Sequence, residues 1–224
     1  SAAGQNVKEI KSIGHELMLV KNEGITILDF SSSVLLNLGL KYSDAAVSVK
    51  NGRAVVFDRN ANKFCVTGKT KSLYPGETKG AILTAVMGKN GYVAVATLSE
   101  DAASELTVYD RGMKEYFKWK CVSDYIADMS ISDNGKNIAV IVLGVRDAEI
   151  FSKLWVFEMG SGEPLASFEY GGTTLVDVEY TGKKQIVVLG DNLRSVISPD
   201  MTRKDESFSG DTLGCFASAE NGRQ

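Results

Sequence analysis

The chain has 224 residues, of which 44% are hydrophobic and 24% are charged, and its formal net charge is −3 at pH 7. This balance is typical of a globular protein with a sizeable core, and the absence of a basic run argues against nucleic acid as a partner. No apolar run approaches the length that a membrane span needs, so we expect no direct membrane insertion in this segment. The opening residues 1–6, which lack a Met, read as a trimmed or disordered start and are left out of the predicted fold.

Residues that usually carry chemistry are sparse. The three cysteines, Cys65, Cys121 and Cys215, lie far apart, which argues against a disulfide framework or a zinc site and predicts small buried side chains. The one histidine, His15, cannot supply a multi-histidine metal site. No Gly-x-Ser-x-Gly motif marks a serine nucleophile. We therefore predict no catalytic residue, no metal site and no cofactor.

A glycine turn between two strand-like segments recurs along the chain. The turns contain Gly14, Gly52, Gly91, Gly135, Gly182 and Gly222. Several of them are Asn-Gly, the strongest short signal for a β-hairpin, because a type I′ turn needs positive φ at both central positions. The spacings of 38, 39, 44, 47 and 40 residues indicate a structural repeat with a mean period near 42.

Each repeat reads as four short strands. In chain order, the strand-bearing segments lie at 7–13, 13–20, 24–30 and 34–40, at 45–49 and 50–57, at 89–96, 105–110 and 114–120, at 127–132, 138–143, 153–158 and 164–170, and at 175–180 and 181–189. The first strand alternates, the second is continuously apolar, the third ends in an acid and the fourth is more polar. No segment shows a helical apolar period, so we expect almost no helix.

Four antiparallel strands in about 42 residues are the repeat of a β-propeller blade. The polarity gradient agrees, because inner strands pack between neighbouring blades while the outermost strand meets water. A β-sandwich also has frequent turns, but it does not predict a four-strand period. We predict an all-β propeller with blades at 7–43, 44–80, 81–124, 125–173 and 174–211, and the start of a further blade at 212–224.

This count predicts an incomplete ring. Residues 7–13 and 213–219 both read as first strands, and two first strands cannot complete one blade between them. The favoured interpretation is a piece of a longer protein with six to eight blades. One alternative is a ring of five blades with the last strand at the seam. The other is that the division into repeats splits one blade into two. Open blade faces would then allow self-association.

The third-strand endings Leu-Thr-Val-Tyr-Asp at 106–110 and Leu-Trp-Val-Phe-Glu at 154–158 resemble the repeats of the WD40-like and quinoprotein-like propeller superfamily. The paired Gly-His and Trp-Asp of WD40 blades and the tryptophan-docking motifs of quinoprotein blades are absent. More loosely, the chain is similar to propeller domains that follow a single membrane anchor in Gram-positive bacteria. That resemblance implies an extracytoplasmic domain at the cell envelope, tethered by a segment outside this chain.

Candidate binding residues lie on predicted loops. Two connections between second and third strands, 98–104 and 143–152, are long, and long loops on a rigid scaffold often carry binding residues. Asp44 and Asp124 occupy matching positions between blades, where the alternative is that they only hydrogen-bond backbone amides. The predicted binding residues are Glu100, Asp101, Arg146, Asp147, Glu149, Asp44 and Asp124.

One aromatic outer strand gives a further expectation. Alternation places Phe117 and Trp119 on one face and Tyr116 on the other. The strand could form a partner patch, but we expect the first two side chains to pack between blades.

The leading functional hypothesis is a non-catalytic binding or scaffold domain that presents its loop-rich face to a protein or carbohydrate partner. A competing hypothesis is a propeller enzyme, either a hydrolase, a lactonase or a quinone-dependent enzyme, with an axial pocket. The first strands are mainly apolar, and Asp128, Asp177 and Glu179 are the exceptions that such a pocket could use. A third possibility is a purely structural assembly module, because propellers support all of these roles.

Overall fold

A computed structural model describes residues 7–161, 163–182 and 184–208. All the regular secondary structure in these ranges is β-strand, and the strands form five four-stranded antiparallel sheets. The described part of the chain contains no helix long and apolar enough to cross a membrane. The predicted all-β fold is therefore confirmed. The further blade predicted at 212–224, and Cys215 with it, lies outside the described residues.

Each sheet contains four strands that are consecutive in the chain, and the sheets are named blades 1 to 5 in chain order. Blade 1 contains β1 (Glu9–Ile13), β2 (Glu16–Lys21), β3 (Gly24–Leu28) and β4 (Val34–Gly39). Blade 2 contains β5 (Ala45–Lys50), β6 (Arg53–Asp58), β7 (Lys63–Gly68) and β8 (Ser72–Glu77). Blade 3 contains β9 (Ile82–Met87), β10 (Val93–Leu98), β11 (Ser104–Tyr109) and β12 (Glu115–Cys121).

Blade 4 contains β13 (Tyr125–Ile131), β14 (Asn137–Arg146), β15 (Glu149–Glu158) and β16 (Pro164–Tyr170). Blade 5 contains β17 (Leu175–Tyr180), β18 (Ile186–Gly190), β19 (Leu193–Ile197) and β20 (Arg203–Ser207).

The Asn-Gly signal forms the turn that the sequence predicts. Lys50 pairs with Arg53, so the turn between β5 and β6 has two residues. These residues, Asn51 and Gly52, have φ of 49° and 71°. A type I′ turn requires this left-handed backbone, which glycine adopts without steric cost.

The hydrophobic core consists of four layers, and each layer fills the space between two neighbouring blades. The second strands of blades 2, 3 and 4 are buried on both faces. In β2 and β18 the buried positions instead alternate with partly exposed ones. Blades 1 and 5 therefore each have one face without a neighbouring blade in the described part of the chain.

The aromatic outer strand of blade 3 packs as alternation predicts. The ring centroids of Trp119 and Phe157 are 4.9 Å apart, and those of Phe117 and Phe157 are 5.6 Å apart. Tyr116 lies on the other face, 43% exposed, against Tyr92. This aromatic cluster joins blades 3 and 4, as expected for side chains that pack between blades.

The first strands β1, β5, β9, β13 and β17 line an axial cavity of about 560 Å³. The strand order gives the molecule two loop faces. The first face carries the second-to-third-strand connections and the links between blades, and we name it the connection face. It comprises residues 22–23, 40–44, 59–62, 78–81, 99–103, 122–124, 147–148, 171–174 and 191–192.

The opposite face carries the remaining turns of each blade, those between its first and second strands and between its third and fourth strands. We name it the hairpin face.

Candidate binding face

The most prominent feature of the connection face is a projecting hairpin. The prediction of a loop at 143–152 is wrong, because β14 and β15 continue through this segment as strands of ten residues each. Arg146 pairs with Glu149, and the turn consists of Asp147 and Ala148 with φ of 54° and 65°. The sequence did not reveal this turn because it lacks the Asn-Gly signal, and the charged residues around it are typical of a loop.

The hairpin extends beyond the other strands of its own sheet. β13 begins at Tyr125, opposite Leu143, and β16 ends at Tyr170, opposite Ser152. Residues 144–151 therefore have no strand of blade 4 on either side of them. A two-stranded ribbon of this kind presents both its faces and both its edges to solvent.

One face of this hairpin is apolar. Val145 and Ile150 form a cross-strand pair and are 73% and 59% exposed. Tyr125, opposite Leu143 on the same face of the sheet, is 54% exposed. We name Tyr125, Leu143, Val145 and Ile150 the hairpin patch. Val122, on the link that precedes β13, adds a further exposed side chain to this end of the molecule.

On the other face of the hairpin, an aromatic ring and an acid hold Arg146 in place. The Arg146 guanidinium carbon lies 4.5 Å from the centroid of the Phe151 ring, and its Nη1 atom lies 3.8 Å from Glu169 Oε2. Glu169 also lies 3.6 Å from Lys153 Nζ. Arg146 is thus positioned by neighbours within its own blade, while Asp147 and Glu149 are exposed at the tip.

The second predicted loop, 98–104, is a loop on the same face, where residues 99–103 connect β10 to β11. Glu100 is exposed there. Asp101 accepts a hydrogen bond from Ser99 Oγ at 2.9 Å and forms an ion pair with Lys120. The hydrogen bond from Lys120 holds the pKa of the Asp101 carboxyl below its ordinary value. Asp101 therefore ties its loop to β12, and Glu100 is the candidate that projects.

The predicted capping role of Asp44 belongs instead to Asp58. The Asp58 carboxylate accepts from the main-chain N–H groups of Asp44 at 2.7 Å and Ser43 at 3.0 Å, and its side chain is buried. Asp44 itself forms ion pairs with Lys8 and, at 3.9 Å, with Arg59. Sequence reasoning missed Asp58, although an acid that directly follows the apolar run of β6 was an available signal.

Asp124 lies at the base of the projecting hairpin. Its carbonyl accepts a hydrogen bond from Ser104 Oγ at 2.8 Å, which joins blades 3 and 4. Its carboxylate occupies the space that a Cβ atom on Gly144 would need. The fold thus brings Asp124 together with Arg146, Asp147 and Glu149, whereas Asp44 lies between blades 1 and 2.

The axial cavity contains a second group of charged side chains. Lys50 Nζ on β5 lies 2.9 Å from Glu179 Oε1 on β17, which joins blades that are not neighbours. Asp128 Oδ2 accepts a hydrogen bond from the main-chain N–H of Val178 at 3.0 Å. Burial, helped by the charge of Asp177, raises the pKa of the Asp128 carboxyl to about 7. Burial and Glu179 also raise the pKa of Asp177.

Two of these acids form contacts between blades: Asp128 links blades 4 and 5, and Glu179 links blades 5 and 2. Ser130 Oγ accepts from the N–H of Tyr180 at 2.9 Å, directly beside the bond of Asp128. Among the described residues no group of three or more histidines, cysteines or acids could hold a metal ion. Sequence reasoning noted the three acids on the first strands but missed Lys50, because 129 residues separate it from Glu179.

The architecture defines the class of protein. The WD40 domain of Neurospora crassa Pan2 superposes with a TM-score of 0.65 at 11% identity, over 92% of this chain and 66% of that one. Hsv2 of Kluyveromyces lactis superposes with a TM-score of 0.62 at 14% identity, over 91% of this chain and 72% of that one. A form of Hsv2 with loop 6CD replaced by a Gly-Ser linker gives a TM-score of 0.63 at 15% identity, over 91% of this chain and 70% of that one.

The fold is therefore a WD40-like β-propeller, as the sequence predicts, and likeness at such low identity shows the fold alone. The chain spans 66–72% of the length of these structures. Residues 2–208 match the model of a family of unknown function, DUF5711, and the chain belongs to that family. None of the curated proteins matches its sequence.

Proposed function

We propose that this chain is a non-catalytic binding or scaffold domain, and that it holds a protein partner on its connection face through the hairpin patch. The observation that carries the proposal is the exposure of Val145 and Ile150 on a projecting hairpin. Exposed apolar side chains that lie together on a folded surface mark interaction sites, whereas scattered ones do not. The charged tip residues Arg146, Asp147 and Glu149 then form the polar rim that such interfaces have.

The composition of the patch favours a protein over a carbohydrate. Leu143, Val145 and Ile150 are aliphatic, and aliphatic side chains gain free energy by packing against other apolar side chains. Sugar binding instead relies on aromatic faces beside several hydrogen-bonding groups, and Tyr125 is the single aromatic residue of the patch. The charged tip supplies no second aromatic platform.

The axial cavity supports the non-catalytic part of the proposal. Asp128 bonds the main chain of β17, and Glu179 forms its ion pair with Lys50. These side chains hold blades together, and a catalytic acid or base must instead reach a substrate atom. A propeller enzyme with an axial pocket is therefore the less favoured function.

The proposal is tested with a photo-crosslinking amino acid placed at Val145 in the source cell. The matched control carries it at Phe30, which is 95% exposed but lies on the hairpin face. We expect one protein to crosslink at position 145 and not at position 30. With the crosslinker placed at Tyr125 instead, the double variant Val145→Glu, Ile150→Glu should abolish the crosslink to this protein. The same crosslinked species from both positions, or no loss in the double variant, would contradict the proposal.

We also propose that the domain works outside the cytoplasm, tethered to the bacterial membrane. The support is the resemblance to propeller domains that follow a membrane anchor. Protease added to intact protoplasts of the source cell should digest the domain while a cytoplasmic enzyme survives. Survival of both until the protoplasts are lysed would place the domain inside and refute this proposal.

A further inference from the structure

A polar cleft lies between blades 2 and 3, apart from both sites described above. It has a volume of about 810 Å³, which is typical of small-molecule sites. One wall is formed by residues 77–80, which lead from blade 2 to blade 3, and the other is the face of blade 3 that is turned toward blade 2. The cleft reaches the connection face at residues 78–80 and 99–101, and we name it the side cleft.

Two threonines form the floor of the side cleft. Thr97 of β10 pairs with Glu105, and Thr107 of β11 pairs with Val95, so the two threonines lie in neighbouring rows on the same face of the sheet. They are only 8% and 9% exposed, and neither hydroxyl has a hydrogen-bond partner among the described residues. A buried hydroxyl without a partner costs free energy, so these two groups require an explanation.

The other buried polar side chains in the described part of the chain are all paired. Each forms at least one hydrogen bond within the protein: Asp58, Thr67, Ser104, Ser132, Ser152, Thr173 and Ser195. Thr67 is the nearest counterpart, because its hydroxyl lies 2.9 Å from the carbonyl oxygen of Gly68 and 3.0 Å from that of Lys71. Among these buried side chains, only those of the side cleft must find their partner outside the protein.

Ion pairs lie above this floor. Glu105 Oε1 lies 2.8 Å from Lys118 Nζ, and Asp101 pairs with Lys120. Each pair places hydrogen-bond acceptors and donors side by side while its two charges cancel. The remaining charged side chains of the cleft are exposed to water: Glu77, Lys79, Glu100 and Glu115. A charged ligand would have to compete with a member of an existing pair, so the side cleft favours a ligand without net charge.

A saccharide has the chemistry that this cleft requires. Sugar hydroxyls carry no charge and both donate and accept hydrogen bonds, as the threonine hydroxyls do. An apolar ligand would instead leave Thr97 and Thr107 unpaired. Tyr109 supplies the aromatic face that sugar binding uses, and its ring is held against Phe64 with 6.1 Å between the centroids. The hairpin patch lacks this combination of an aromatic ring beside several hydrogen-bonding groups.

We propose that the side cleft binds a neutral oligosaccharide, with Thr97 and Thr107 as its hydrogen-bonding floor and Tyr109 as its aromatic wall. The ion pair of Glu105 and Lys118 accepts from and donates to further sugar hydroxyls. This site goes beyond the proposed function, because it takes a small ligand between blades 2 and 3 while the hairpin patch on blade 4 takes a protein.

The full chain is tested on an array of neutral and anionic oligosaccharides, and calorimetry measures the affinity for the strongest neutral binder. Thr97→Val and Thr107→Val keep the shape of the side chain and remove only the hydroxyl. We expect each to weaken binding at least about fivefold, because a sugar hydroxyl loses its partner. The midpoint of urea unfolding should stay the same or rise, because no unpaired hydroxyl is buried any longer.

Thr67→Val is the matched control, since its hydroxyl is buried but paired within the protein. It should lower the urea midpoint and leave the affinity for the oligosaccharide unchanged. The double variant Val145→Glu, Ile150→Glu should also leave this affinity unchanged, while the threonine variants should leave the crosslink at position 145 intact. Failure at one site is thereby distinguished from failure at the other.

Four results would overturn the proposal. No neutral oligosaccharide binds, the anionic ones bind more tightly than the neutral ones, or the two threonine variants bind as well as the unaltered chain. The fourth is a fall of the urea midpoint in Thr97→Val and Thr107→Val as large as in Thr67→Val, because these hydroxyls would then have partners inside the protein.

Discussion

Asp128 shows how one buried carboxyl makes the stability of the molecule depend on pH. Burial and the charge of Asp177 raise its pKa to about 7, above its ordinary value of 3.8, and the charge of Glu179 adds to this rise. The folded state therefore holds this proton more tightly than the unfolded chain. Its contribution to stability is complete below about pH 4 and is lost as the pH rises toward 7.

We expect the free energy of unfolding to fall between pH 5 and pH 8, and to fall less in Asp128→Asn, which keeps an acceptor for the N–H of Val178. The difference should be about 2–3 kcal/mol across this interval, because one pKa unit corresponds to about 1.4 kcal/mol. Urea unfolding at several pH values measures it. Parallel pH profiles for the two proteins would show that this carboxyl keeps an ordinary pKa.

Asp58 is a second residue whose role depends on burial. It accepts from two main-chain N–H groups at the link between blades 1 and 2 and is 6% exposed. Asp58→Ala leaves these donors without their acceptor and should cost about 1–3 kcal/mol of unfolding free energy. Asp44→Ala, the control on the same link, removes only partly exposed ion pairs and should cost less than about 1 kcal/mol. Equal losses would contradict the assignment of the cap.

At the scale of single residues, the sequence identified the types of side chain better than their partners. It placed Asp44 at a link between blades, but the acid that caps the link is Asp58, fourteen residues further along the chain. It marked Asp128 and Glu179 as unusual on apolar strands, yet it could not pair Glu179 with Lys50. Contacts of this kind depend on how blades that are distant in sequence meet around the axis.

At the scale of elements, the junction between blades 3 and 4 depends on Phe157. Its side chain is 1% exposed, and its ring contacts those of Phe117, Trp119 and Trp155. Phe157→Ala should lower the unfolding free energy by about 3–5 kcal/mol because it opens a cavity between two blades. Tyr116→Ala, at a residue 43% exposed on the same outer strand as Trp119, should cost far less. Chemical denaturation measures both unfolding free energies. Similar losses of unfolding free energy in the two variants would refute the role of Phe157 at this junction.

The strands themselves were predictable wherever a turn had a distinctive residue. Asn51 and Gly52 form the expected two-residue turn, and four strands follow one another in every sheet. The hairpin around Asp147 was not predictable, because Asp-Ala is a weak turn signal and its flanking charges mimic a loop. Three of the predicted binding residues, Arg146, Asp147 and Glu149, lie on this hairpin, whereas the sequence analysis overlooked the apolar pair Val145 and Ile150, on which the proposed function rests.

At the scale of the whole molecule, the period of the glycine turns was sufficient to predict the fold. Five four-stranded sheets follow one another, and known WD40 propellers superpose on them. A repeat determines architecture because every blade must bury its faces against its neighbours. It does not determine function, since the loops that project from the connection face vary independently of the packed strands.

The ion pair between Lys50 and Glu179 bears on how the molecule comes apart. In a stack where each unit touches only its neighbours, a terminal unit can detach while the rest stays intact. Here Lys50 belongs to blade 2 and Glu179 to blade 5, so the last described blade is held from two directions. Detachment of blade 5 must therefore break a contact on the far side of the axis as well as the packing of blade 5 against blade 4.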